Sequence, residues 1–119
     1  MIALLQFRPD DGAERFQSEA EQALRVLAER PGFVRGSVGR ATDDEHSWLL
    51  LTEWESVGAY RRGLGGYQVK LTATPLLSQA LDRPSAFEEL LTISQDGQET
   101  TRVSDRAIDA DWGSRLADP

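Results

Sequence analysis

Between Trp48 and Arg62 the chain changes its period. An apolar run from Trp48 to Thr52 leads through Glu53-Trp54-Glu55 to Ser56, and the spacing beyond it is helical. Ser56 can cap the helix that follows, because its hydroxyl can accept from an orphan first-turn N–H. A sheet must therefore meet a helix at this corner, with Trp54 ending a strand and Tyr60 just inside the helix. Two aromatics with polar handles at such a corner are a candidate wall for a small-molecule pocket. The alternative is a core pair that closes the corner.

The rest of the chain supplies the partners of that corner. Ile2 to Arg8 reads as a strand whose apolar residues fall on both parities: Ile2 and Leu4, then Ala3, Leu5 and Phe7. A strand apolar on both faces is expected to be covered on both. Pro9-Asp10-Asp11-Gly12 ends it, and Asp11 with Glu14 forms a capping-box-like start. Phe16, Ala20, Ala23, Leu24 and Leu27 then form one apolar stripe on a helix running to about Arg30, where Pro31-Gly32 stops it. Phe33 to Arg40 reads as a second strand, with Gly36 and Gly39 marking a bulge or a close backbone approach. Ser47 to Glu55 is the third strand, antiparallel to the second across the polar loop 41–46. The helix from Ser56 is interrupted at Gly63, Gly65 and Gly66, and a second helical segment, Tyr67 to Leu81, carries Pro75, which predicts a kink or break. Ala86 to Ile93 is the fourth strand.

The order β-α-β-β-α-β predicts an α+β, ferredoxin-like subunit, a four-stranded antiparallel sheet with helices on one face. The other face would be exposed in a monomer, so the two-sided apolar pattern predicts a dimer packed sheet against sheet. At 119 residues the chain suits one domain. Ser94 to Pro119 is a polar, acidic tail with too little apolar content to fold alone. It is expected to dock on the sheet domain or the partner subunit through Trp112, with Ile108 and Leu116.

Composition narrows the function. A formal net charge of −7 with no basic block argues against a nucleic-acid partner. The absence of cysteine excludes disulfides, thiolate nucleophiles and cysteine-based zinc sites. No apolar run approaches the ~20 residues that span a bilayer, and the start lacks a basic leader. A cytoplasmic protein without a membrane partner is expected.

Few other residues carry chemical promise. His46 lies in the acidic loop Asp43-Asp44-Glu45-His46, where a lone histidine is usually solvated. These acids fit no calcium-loop spacing, so no metal site is expected. Glu53 and Glu55 share one side of their strand, with Arg35 and Arg40 as candidate partners. Trp48 reads as core or interface. Gln6, a polar residue in an apolar strand, needs a partner and can project into a pocket.

The order of these elements, with Pro31-Gly32-Phe33, Thr52-Glu53-Trp54-Glu55-Ser56 and Ala59-Tyr60, resembles the antibiotic biosynthesis monooxygenase family of dimeric α/β barrels. Val57 to Arg62, Tyr67-Gln68-Val69-Lys70 and Pro84-Ser85-Ala86-Phe87-Glu88 look like an actinobacterial subgroup. The resemblance covers roughly Ile2 to Ile93 and gives a family-like domain over 1–93 and the tail over 94–119. It implies oxygenation of aromatic phenols without metal or flavin, in which a substrate anion passes an electron to O₂. Trp54 and Tyr60 match the Trp and Tyr of that type and are the expected catalytic residues. Gln6 and Tyr67 are expected at the pocket mouth. Leu50 stands where those oxygenases carry an amide, and Thr74 near a family arginine; both are expected substrate-binding positions. Other members degrade haem with a strand Asn, a Trp and a helix His. Gln6 and Trp54 can stand for the first two, but no histidine follows Trp54. The expected function is monooxygenase-like oxidation of a hydrophobic aromatic small molecule with no cofactor. The alternative is a non-catalytic binding or scaffold protein of the same fold.

Overall fold

The computed structural model describes residues 1–10 and 12–103. Its first compact unit, Met1–Phe87, holds a four-stranded sheet. The elements are β1 (Ile2–Phe7), α1 (Ala13–Ala28), β2 (Phe33–Arg40), β3 (Trp48–Trp54), α2 (Val57–Leu64), a π-helical turn over Val69–Ala73, α3 (Thr74–Leu77) and β4 (Ala86–Phe87). Strand order is β2-β3-β1-β4, and every pairing is antiparallel. This is the ferredoxin-like arrangement that the element order predicts.

Side-chain alternation places the core. On β3, Trp48, Leu50, Thr52 and Trp54 are buried and the residues between them are half-buried. The core gathers these apolar residues with Phe16, Ala20, Ala23 and Leu27 of α1, so this face of the sheet meets the helices. Gly36 of β2 is a close approach: a Cβ there would lie 2.5 Å from Leu24 Cδ1 of α1. The register also shifts between Phe33 and Arg35, so β2 carries an irregularity as well.

Three local details differ from the sequence expectation or refine it. Helix α1 starts after Gly12, which has no side chain to cap it; the Asp11 half of the expected capping box lies outside the described residues. Pro75 does not simply break its helix. The turn ahead of it widens to π geometry, the Thr74 N–H reaches Val69 O, and α3 then begins with Pro75 in its first turn. There the missing N–H is harmless.

The expected single strand Ala86–Ile93 is two strands. Ala86 and Phe87 pair with Ala3 and Ile2, and β1 starts at Ile2, so the chain beyond Phe87 has no facing backbone in that strand. The second compact unit begins at Glu88, six positions before the tail's change of composition. Its described part holds β5 (Leu91–Ile93) and β6 (Glu99–Thr101), an antiparallel pair closed through Gly97. Trp112, Ile108 and Leu116, expected to dock the tail, lie outside the described residues.

Candidate functional site

The corner at Trp54 forms as its residues dictate. Ser56 is extended, and its hydroxyl accepts from the Ala59 N–H at 3.0 Å, which starts α2. Tyr60 then lies 5.7 Å from Trp54 between ring centroids, and Phe33 of β2 meets the same indole edge-on at 5.4 Å. Gly63, one turn further on, lets α2 sit on the indole: a Cβ there would be 2.8 Å from two Trp54 ring carbons. Trp54 is 1 % exposed. Its indole N–H donates to Thr52 Oγ1 at 2.8 Å, a bond between residues on the same strand face. Tyr60 is half-buried, and burial pushes its phenol above the usual value. Near neutral pH it is therefore a hydrogen-bond donor and not a base.

The other candidate residues are dispersed. Leu50 is fully buried on the same face as Trp54. Gln6 pairs with Leu49 while Leu5 pairs with Leu50, and strand neighbours point to opposite faces. Gln6 therefore belongs to the sheet face away from the helices and from Trp54, not to a pocket mouth beside it. Its required partner is Arg83, whose Nη1 donates to Gln6 Oε1 at 2.8 Å. Tyr67, also expected at the mouth, is 73 % exposed. Thr74 is exposed, and its hydroxyl donates to Val69 O within the π turn. A haem site of the Asn-Trp-His kind does not fit this arrangement, because Gln6 and Trp54 lie on opposite faces of the sheet. Among the described residues no group of three or more His, Asp or Glu gathers to hold a metal ion. No described helix is long and apolar enough to cross a membrane.

A second feature lies at the other end of β3. Trp48 is 5 % exposed, and its buried indole N–H meets no acceptor among the described residues. An orphaned buried donor costs ~1–3 kcal/mol. Phe16 packs 5.5 Å from Trp48, Phe7 packs 5.1 Å from Phe16, and the Arg40 guanidinium carbon lies 4.9 Å over the Trp48 ring. Three cavities of about 230, 250 and 280 Å³ open here, all bordered by Pro9 and Asp10; Trp54 borders none of them. Sequence reading missed this end because Trp48 looks like any core aromatic. The available signal was Arg40, which stands opposite Trp48 at the mouth of the β2–β3 hairpin. The sequence offers Arg35 and Arg40 as candidate partners of Glu53 and Glu55, which flank Trp54. Of that pairing only Arg35 opposite Glu53 is kept by the register.

The comparison with known proteins agrees with this architecture. Residues 1–68 match the antibiotic biosynthesis monooxygenase domain, more than half of the chain. The chain belongs to that family. It is similar to deoxynogalonate monooxygenase of Streptomyces nogalater, 27 % identical over 94 residues that cover 79 % of this chain and 80 % of the relative. In structure it is similar to SnoaB, a cofactor-independent oxygenase from Streptomyces nogalater, with a TM-score of 0.61 and 24 % identity over 75 % of this chain and 94 % of that one. A conserved protein from Methanosarcina mazei Go1 shares the fold at a TM-score of 0.58 and 16 % identity, covering 71 % of this chain and 84 % of that one. These structural likenesses support the fold.

Proposed function

We propose that the protein oxidises a hydrophobic aromatic small molecule with O₂, in the manner of a monooxygenase and without metal or flavin. The observation that carries this reading is the Trp54–Tyr60 corner in a chain of this family. The similar Streptomyces nogalater proteins, a deoxynogalonate monooxygenase and a cofactor-independent oxygenase, support it. The substrate supplies the electrons. An anthrone-type CH₂ becomes a carbonyl, one oxygen atom of O₂ enters that carbonyl, and the other leaves as water with the two hydrogens. Tyr60, held neutral by burial, donates its O–H to the substrate oxyanion or to the peroxide formed from it. Trp54, 1 % exposed and with its N–H held by Thr52, backs and positions Tyr60. The working unit in this reading is a homodimer, with the sheet face that bears Ile2, Leu4, Leu49 and Leu51 covered by a second copy.

The test is oxygen uptake with a hydroxyanthrone as substrate and no added metal or flavin. Tyr60→Phe should lower the rate by about ten-fold or more, the usual effect of removing a donor aimed at developing charge. Its melting temperature should change little, because almost no packing is lost. Equal uptake by the wild type and a Trp54→Phe, Tyr60→Phe double variant would refute this assignment. One observation favours the second reading, a binding or scaffold protein. Leu50 presents no polar group on the Trp54 face of β3, and the Trp54 indole is already enclosed and satisfied.

A further inference from the structure

We propose that Thr52 is the positioning residue of the Trp54–Tyr60 corner: its hydroxyl selects the one orientation of the indole on which Tyr60 is seated, and so directs the phenol O–H. Among the described residues Thr52 is the only polar side chain buried in the core, at 2 % exposure. Across the two ladders of β3 it faces Ala3 and Gly36, which offer no side-chain polar group. The Trp54 indole N–H is the one hydrogen-bond partner of its hydroxyl among the described residues. A hydroxyl carried this far into an apolar core needs such a partner.

The indole needs the hydroxyl equally. A tryptophan ring turns about its Cβ–Cγ bond between roughly two-fold related orientations, which exchange the edges that face the protein. Two contacts tell them apart here. The N–H lies on Thr52 Oγ1 at 2.8 Å, and the far edge of the six-membered ring lies against Gly63, where a Cβ would come within 2.8 Å. Turned over, the ring would orphan a buried donor and take its six-membered edge away from α2. Tyr60 depends on this arrangement, because its hydroxyl has no hydrogen-bond partner of its own among the described residues. Packing on the indole, 5.7 Å between centroids, is what aims it. The consequence for turnover rests on the oxygenase reading; the seating of Tyr60 does not.

The test sets Thr52→Val, which keeps the branched shape and removes the acceptor, against Thr52→Ser, which keeps the acceptor. The chain has two tyrosines, so Tyr67→Phe leaves Tyr60 as the only phenol. In that background the ultraviolet titration of Tyr60 should start from its burial-raised value, and Thr52→Val should move it back toward free tyrosine as water reaches the ring. In oxygen uptake with a hydroxyanthrone, Thr52→Val should lower kcat by about ten-fold, within the ~100-fold that a misplaced group can cost, and change KM by less than about two-fold. Thr52→Ser should recover most of both. If Thr52→Val does not fold, Thr52→Cys, a weaker acceptor of serine's shape, takes its place. A lower melting temperature with kcat and the Tyr60 titration unchanged would overturn the assignment, and so would equal impairment by Thr52→Ser. If even the wild type takes up no oxygen, the oxygenase reading falls alone and the titration still decides Thr52.

Discussion

Trp54 is held by three neighbours that sequence spacing alone does not reveal: Thr52 on its N–H, Phe33 on its face and Gly63 beneath its ring. Gly63 offers the sharpest residue-scale prediction. In an exposed helix Gly→Ala stabilises by roughly 1 kcal/mol. Here a Cβ would lie 2.8 Å from two carbons of an indole that is only 1 % exposed. Overpacking of this kind costs ~1–3 kcal/mol. Gly63→Ala should therefore lower the melting temperature, by about 4 °C per kcal/mol for a domain of this size. A calorimetric scan showing a higher melting temperature would mean that α2 does not rest on Trp54. Spacing predicted that Trp54 and Tyr60 would meet, because a strand end and the first turn of a capped helix are necessarily close. It did not predict enclosure, because enclosure depends on a glycine nine residues away that reads as a hinge.

The elements were legible where one period dominates. β3 reads as an apolar run bounded by a polar loop and a capping serine, and the stripe on α1 predicts its buried residues Phe16, Ala20, Ala23 and Leu27. Ser56 is the joint between the two regimes. Ser56→Ala removes the one side-chain acceptor at the α2 N-terminus and should destabilise the protein by about 1 kcal/mol. Urea unfolding would check this, with the midpoint falling and the slope unchanged; an unchanged midpoint would show that water serves the Ala59 N–H equally well. β1 is the opposite case. Its apolar residues occupy both parities, so the pattern could not say which face meets the helices. The pairing of Leu5 with Leu50 and Gln6 with Leu49 decided it and removed Gln6 from the Trp54 side. The length of β4 was likewise set by its partner, since a ladder ends where the facing strand ends.

At the scale of the whole molecule, the sheet face opposite the helices carries Ile2, Leu4, Leu49 and Leu51, all only half-buried in one subunit. A contiguous apolar sheet face of this kind argues for a partner surface. Sedimentation at micromolar concentration should show a dimer whose interface buries more than ~1,000 Å². Leu4→Glu with Leu49→Glu should shift it to monomer, since four like charges would then meet across the two-fold. Monomer alone for the wild type would exclude the sheet-to-sheet assembly. By itself the sequence determined the element order through β4, the antiparallel hairpin, the Ser56 cap of α2 and the family, because these follow from local periodicity and from turn chemistry between neighbours in the chain. Only the tertiary structure decided which face of β1 is inward, that Trp54 is enclosed and hydrogen-bonded to Thr52, and that Arg40 lies over the Trp48 ring. Those facts depend on register and on contacts between residues distant in sequence, where a side chain's surroundings are set by its partners and not by its neighbours along the chain.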